Sequence, residues 1–138
     1  MGNEAESAGP VQSYRDLRVW QLAMDLAAWC YKLTQRFPKD EVFGLTSQIR
    51  RSSCSIAANI AEGYGRENRR EYIQFLRIAQ GSLKELETHL LIAVRAGVTS
   101  SETTDALLVD CEIEGKQLHA LIRSLQAIQS SKHSPARS

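Results

Sequence analysis

Long apolar runs are missing from this sequence, and so are the residue spacings that metal and nucleotide sites need. No stretch reaches the roughly 18–20 apolar residues that span a bilayer, so no membrane contact is expected. The opening MGNEAESAGP is acidic and has no apolar core, which argues against a signal peptide. The three histidines, His89, His119 and His133, each stand alone. A di-iron centre in a helical bundle needs Glu-x-x-His pairs on facing helices, and none occurs. No Cys/His spacing suits zinc. There is no P-loop and no glycine-rich dinucleotide turn. The three cysteines, Cys30, Cys54 and Cys111, are odd in number and sit among small apolar neighbours, so buried reduced thiols in a cytoplasmic protein are expected. On these grounds we expect no metal, no cofactor and no enzymatic activity. Proline is scarce as well, at three residues. With 43% hydrophobic and 24% charged residues, the composition is that of an ordinary globular chain. A chain of 138 residues forms one domain and buries roughly two thirds of its unfolded surface, so it needs no disulfide to hold a core.

What is present is helical periodicity. A first helix is predicted from Asp16, as N-cap, to Arg36, with Val19, Ala23, Leu26, Cys30, Leu33 and Phe37 on one face and Pro38 as its stop. A second runs from Leu45 to Ala61 or Glu62, and its stripe of Leu45, Ile49, Ser52, Ile56, Ile60 and Gly63 is surrounded by small residues. Such a helix can be approached closely on more than one face, by another helix or another subunit. Gly63 is expected as a left-handed C-cap, with Gly65 turning the chain. The third starts at Asn68, with Glu71 completing a capping-box pattern, and carries Tyr72, Leu76, Ala79, Leu83, Leu86, Leu90 and Ala93 at four-three steps up to Gly97. The fourth begins near Ser100 or Ser101, with Leu108, Cys111, Gly115, Leu118, Ile122 and Leu125 as its stripe and Gly115 marking a close crossing. The links are short, so the expected fold is all-α, an antiparallel up-down-up-down four-helix bundle over residues 14–129. Residues 1–13 and 130–138 are aperiodic and are expected to be disordered tails.

The formal net charge is only +1, so a nucleic-acid role must rest on where charges sit. Between Arg50 and Arg77 there are six arginines, no lysine and three glutamates. Arginine suits planar, bidentate contact with phosphate or carboxylate. Arg50, Arg51, Arg66, Arg69 and Arg70, with Tyr64 interleaved for stacking, are therefore candidate nucleic-acid contacts. The competing account is a solvated turn whose arginines pair with Glu62, Glu67 and Glu71 in the same chain or a neighbouring subunit. The second helix also carries Gln48, Ser55, Asn59, Glu62 and Gly63. Ser55, Asn59 and Glu62 fall on one face, a polar strip beside an apolar seam. Such strips fix register between helices or subunits, because any other alignment leaves them unpaired. A recognition surface running on into Gly63 and Arg66 is the other reading.

The run Gly44-Leu45-Thr46-Ser47-Gln48-Ile49-Arg50-Arg51-Ser52, followed by Ser55-Ile56-Ala57-Ala58-Asn59-Ile60-Ala61-Glu62-Gly63, resembles the bacterial 23S rRNA intervening-sequence protein family, also called the four-helix bundle protein family. Asp16-Leu17-x-Val-Trp20, Phe37-Pro38 with Glu41, and Phe75-Leu76-x-Ile78-Ala79-x-Gly81-Ser82-x-x-Glu85-Leu86 fit it too, so the resemblance covers about residues 14 to 128. It implies a ring-like homopentamer of four-helix bundles, from genes first noticed inside insertions in 23S ribosomal RNA genes. A distantly similar protein, the accessory variability determinant of diversity-generating retroelements, is a basic pentameric bundle that binds nucleic acid and a reverse transcriptase. The net charge of +1 departs from that pattern. The resemblance thus suggests a non-enzymatic homo-oligomer that associates with RNA or DNA. The alternative is a scaffold that binds another protein and uses its arginines in intersubunit salt bridges.

Overall fold

The computed structural model of the chain describes residues 10–133, and side chains as far as residue 128. Four α-helices follow in order: α1 Arg18–Thr34, α2 Leu45–Tyr64, α3 Arg69–Arg95 and α4 Ser101–His133. Short 3-10 turns precede α1, at Tyr14–Asp16, and α2, at Lys39–Glu41. No strand occurs among the described residues. Each helix packs against two others, α1 on α2 and α4, and α3 on α2 and α4. The interior they share is Leu26 and Cys30 from α1, Ile49, Ile56 and Ile60 from α2, Leu76, Leu83, Leu86 and Leu90 from α3, and Cys111, Leu118 and Ile122 from α4, all essentially without solvent contact.

The helix starts differ from expectation in one place. Asp16 is not the cap of α1. Ser13 caps the preceding 3-10 turn, and the Asp16 carboxylate accepts from the Ser13 and Gln12 backbone N–H groups, so the capping box sits one turn earlier. At α3 the expectation holds: the Asn68 side chain accepts from the Glu71 N–H at 2.8 Å.

The helix ends bring a larger correction. Gly63 is not a left-handed cap. It lies inside α2, buried, and the helix continues to Tyr64, where Gly65 closes it with right-handed torsions. The reason Gly63 carries no side chain is packing: a Cβ there would lie 2.7 Å from the Phe75 Cβ and 3.1 Å from the Tyr72 carbonyl oxygen. The left-handed position is Gly97, at φ +77°. There the Val98 N–H donates to the Ala93 carbonyl and the Gly97 N–H to the Val94 carbonyl, both bonds of a Schellman motif. Gly97→Ala puts a Cβ into left-handed space and is expected to cost about 1–2 kcal/mol in urea-denaturation stability.

The α4 stripe is also shifted. Leu107 and Glu114 are buried where Leu108 and Gly115 were expected. Gly115 marks no close crossing, because a Cβ there would meet the Leu83 Cδ2 at an ordinary 3.5 Å. The C-terminal tail expected from residue 130 coincides in part with α4, which is described to His133. Residues 1–9 and 134–138 lie outside the described residues.

Candidate nucleic-acid interface

The arginines expected to act together fall in two places. Arg50 and Arg51 lie in the first half of α2, whereas Arg66 follows its end and Arg69 and Arg70 open α3. At 1.5 Å per residue, Arg51 and Arg66 are about 22 Å apart along the chain axis, so they cannot share one contact.

Arg50 is committed to the interior of the bundle. Its Nε donates to the Thr34 Oγ1 at 2.8 Å, and its guanidinium lies 4.4 Å from the Tyr31 ring centroid. Thr34 is buried and its hydroxyl donates in turn to the Cys30 carbonyl at 2.7 Å. The α1–α2 packing therefore holds Arg50 by a hydrogen bond and a cation–π contact. Arg51 donates to the Gln48 Oε1 at 2.8 Å and pairs with Glu85 of α3 at 3.3 Å. Gln48 thus orients an arginine instead of continuing the polar strip.

Ser55 and Asn59 do form a strip, and it faces α3. The Asn59 amide donates to the Ser55 carbonyl at 2.8 Å and to the Ser55 Oγ at 2.9 Å, and the Ser55 and Ser82 hydroxyls lie 2.8 Å apart. Ser82, which sequence reasoning overlooked, is the buried partner that gives the strip its register. A serine beside the α3 seam, three residues after Ala79 and next to Leu83, is the signal that could have found it. Glu62 points elsewhere, pairing with Arg66 at 2.6 Å.

At the α2–α3 turn, Tyr64 is half-buried and packs edge-on against Tyr72 with ring centroids 5.9 Å apart. Burial pushes the Tyr72 phenol up to about 12, so it stays neutral. These rings pack edge to face beside Gly63, where the Tyr72 Cδ1 would lie 3.2 Å from a Cβ. The Arg66 guanidinium sits 4.8 Å from the Phe75 ring centroid. Arg69 and Arg70 form no hydrogen bond or ion pair with any other described residue, and Arg70 is exposed.

The cysteines do not behave alike. Cys30 and Cys111 are buried, and burial pushes both thiols up to about 12. Cys54 is exposed, contrary to expectation, because it lies on the outward side of α2. Among the described residues no cluster of three or more His, Cys, Asp or Glu side chains is placed to hold a metal ion. No helix among them is long and apolar enough to cross a membrane.

Fold and surface together define an all-α protein of four packed helices with an arginine-rich turn between the second and third. The chain belongs to the 23S rRNA-intervening sequence protein family, whose model matches residues 15–120. It is also similar to a solved structure from Bacteroides thetaiotaomicron VPI-5482, a protein of unknown function from the S23 ribosomal protein family. The two are 27% identical with a TM-score of 0.68, over 75% of this chain and 97% of that one. None of the curated proteins matches the chain.

Proposed function

We propose that this chain is a non-enzymatic, cytoplasmic homo-oligomer that associates with RNA through the arginines at the α2–α3 turn. The observation that carries the reading is the pair Arg69 and Arg70, two cations at a helix start with no carboxylate partner among the described residues. The family's link to 23S ribosomal RNA insertions supports RNA as the polyanion.

The subunit in this reading is an antiparallel up-down-up-down bundle. Supporting it, residue numbers rise along α2 as they fall along its neighbours: Arg50 meets Thr34 and Cys54 meets Tyr31, while Arg51 meets Glu85, Ser55 meets Ser82 and Gly63 meets Phe75. The assembly is a ring-like pentamer, supported by the family resemblance and by the exposed small residues Ser47, Cys54 and Ala58, which share the outward side of α2 with Arg51. Light scattering is expected to show an oligomer at micromolar concentration, and a monomer there would end the ring.

Weak phosphate contacts repeated around a ring add up through effective concentration and depend steeply on salt. A gel shift with RNA is expected to show binding at low salt that fades at moderate salt. Arg69→Gln/Arg70→Gln is expected to lower the slope of log K against log salt by about 1.4, for two phosphate contacts on a single strand. No shift of the wild type at low salt would sink the proposal. The second reading is a protein scaffold, and the pairing of Arg51 with Glu85 and of Arg66 with Glu62 within the chain takes those two arginines away from phosphate contact. A stoichiometric protein partner recovered without nucleic acid would make that reading the primary one.

A further inference from the structure

The outward side of α3 is cationic from end to end. Stepping four and three residues from the helix start, it presents Arg70, Gln74, Arg77, Gly81, Lys84, Thr88, Leu91 and Arg95, and every one of them is exposed. At 3.6 residues per turn these positions fall within an arc of about 100°, and Arg70 to Arg95 spans about 37 Å. The row holds four cations and no carboxylate in a chain whose formal net charge is +1. Arg70, Arg77 and Arg95 have no hydrogen-bond or ion-pair partner among the described residues. Of the α3 acids beside the row, Glu85 pairs with Arg51 and Glu87 with Lys84 at 3.1 Å, while Glu71, next to Arg70, has no ion-pair partner among the described residues.

No other helix is charged this way. α4 exposes Glu102, Asp105 and Glu112 beside Lys116 and Arg123, α1 exposes Asp25 beside Lys32, and α2 exposes Arg51 and Glu62. The middle of the row is bare as well. A Cβ at Gly81 would meet no atom within 4 Å, so nothing inside the subunit calls for glycine there. In a helix interior that residue costs about 1 kcal/mol against alanine. Its absent side chain lets a rigid polymer lie close to the helix between Arg77 and Lys84.

We propose that the outward side of α3, from Arg70 through Arg77 and Lys84 to Arg95, is a track for the phosphate backbone of RNA. The proposal rests on the RNA reading above and extends it to residues beyond the α2–α3 turn. Arg70, Arg77 and Lys84 stand at about 10 Å intervals along the helix, and Arg95 lies about 16 Å beyond Lys84, so each can meet a different phosphate of one strand. The row carries no aromatic side chain on which a base could stack. It offers charge plus the side chains of Gln74 and Thr88, which suit phosphate and sugar hydroxyl groups. Recognition along it is therefore independent of base sequence.

The test uses the full chain and mixed-sequence single-stranded RNA, titrated at several salt concentrations. The variant Arg77→Gln/Lys84→Gln/Arg95→Gln leaves the turn arginines in place and removes only exposed side chains, so its thermal melt is expected to match the wild type. Its affinity at low salt is expected to fall at least about tenfold, with the salt slope lowered by about 2, for three lost phosphate contacts. An unchanged slope and affinity, with Arg69→Gln/Arg70→Gln still weakening binding, would overturn the track and leave the turn as the site. Affinities for oligo-U and oligo-A that differ by more than about tenfold would overturn backbone recognition. A wild type that binds no RNA at low salt would remove this proposal and the reading beneath it together.

Discussion

Replacing Glu114 with glutamine is expected to stabilise the protein by about 3 kcal/mol at pH 7, and the gain should grow as the pH rises. Glu114 has no solvent exposure, and both of its carboxylate oxygens lack a hydrogen-bond partner. Burial pushes its carboxyl up to about 9 from an ordinary 4.5. Between those two values the folded chain keeps the proton and the unfolded chain has lost it. Unfolding there releases a proton, so stability is greatest below about pH 4.5 and is lost as the pH climbs toward 9. Each pH unit in that window is worth about 1.4 kcal/mol. Glutamine keeps the shape and cannot ionise. Wild type and Glu114→Gln should therefore have similar stability near pH 5 and diverge steadily up to pH 9. Urea denaturation at several pH values checks this, and parallel curves would contradict it. Cys30 and Cys111, pushed up to about 12, add a separate loss of stability that begins only above about 9, so the two windows do not overlap.

The position of Glu114 explains why such a residue is tolerated. It lies on the α4 stripe that meets α1 and α3, next to two surface grooves between α1 and α4. One groove is lined by Trp29, Leu33, Leu107 and Asp110, the other by Leu17, Val19, Ile113 and Gln117. The Gln117 Oε1 is likewise buried without a partner. Glu114 and Gln117 thus bring unmet polar groups to the α1–α4 seam with space beside them, while the buried His89 Nδ1 on α3 also has no partner. Above pH 9 it is the seam where ionised Glu114 gains most from contact with water.

Gly63→Ala is expected to destabilise the chain by about 2–3 kcal/mol, although alanine is the better helix former by about 1 kcal/mol. The atoms in its way are the Phe75 Cβ at 2.7 Å, the Tyr72 carbonyl oxygen at 3.1 Å and the Tyr72 Cδ1 at 3.2 Å. Two of the three are fixed by the α3 backbone and cannot swing aside, so α2 and α3 must separate. Gly65→Ala is the control. Its right-handed torsions suit any residue, and a Cβ there would meet only carbonyl oxygens at 3.6 and 3.8 Å, so its stability should change little. Equal stability of Gly63→Ala and wild type in urea would show that the crossing is looser than these distances.

The helices were legible because four-three spacing of Val19, Ala23, Leu26 and Cys30, or of Leu76, Ala79, Leu83 and Leu86, leaves one face to bury whatever the partner is. The Asn68 cap was legible for a similar reason: its bond reaches only three residues along the chain. Of the candidate site, Arg66, Arg69 and Arg70 lie at the α2–α3 turn, whereas Arg50 and Arg51 lie in the first half of α2. Nearness in sequence stood in for nearness in space, and a helix puts about 22 Å between them. The α3 row has heptad spacing in Arg70, Arg77 and Lys84, with Arg95 eleven residues on, and the density of arginines does not reveal it because its members lie about two to three turns apart.

By itself the sequence determined four amphipathic helices, the Asn68 cap of α3, and the family. The tertiary structure decided what depends on the neighbouring helix. Gly63 could be a cap or a crossing until Phe75 was seen against it. Glu114 reads as one more acid on a charged helix until α1 and α3 close over it. Local rules act over three or four residues and travel with the chain, whereas burial, close approach and ion pairing depend on which surfaces meet, and only packing sets that.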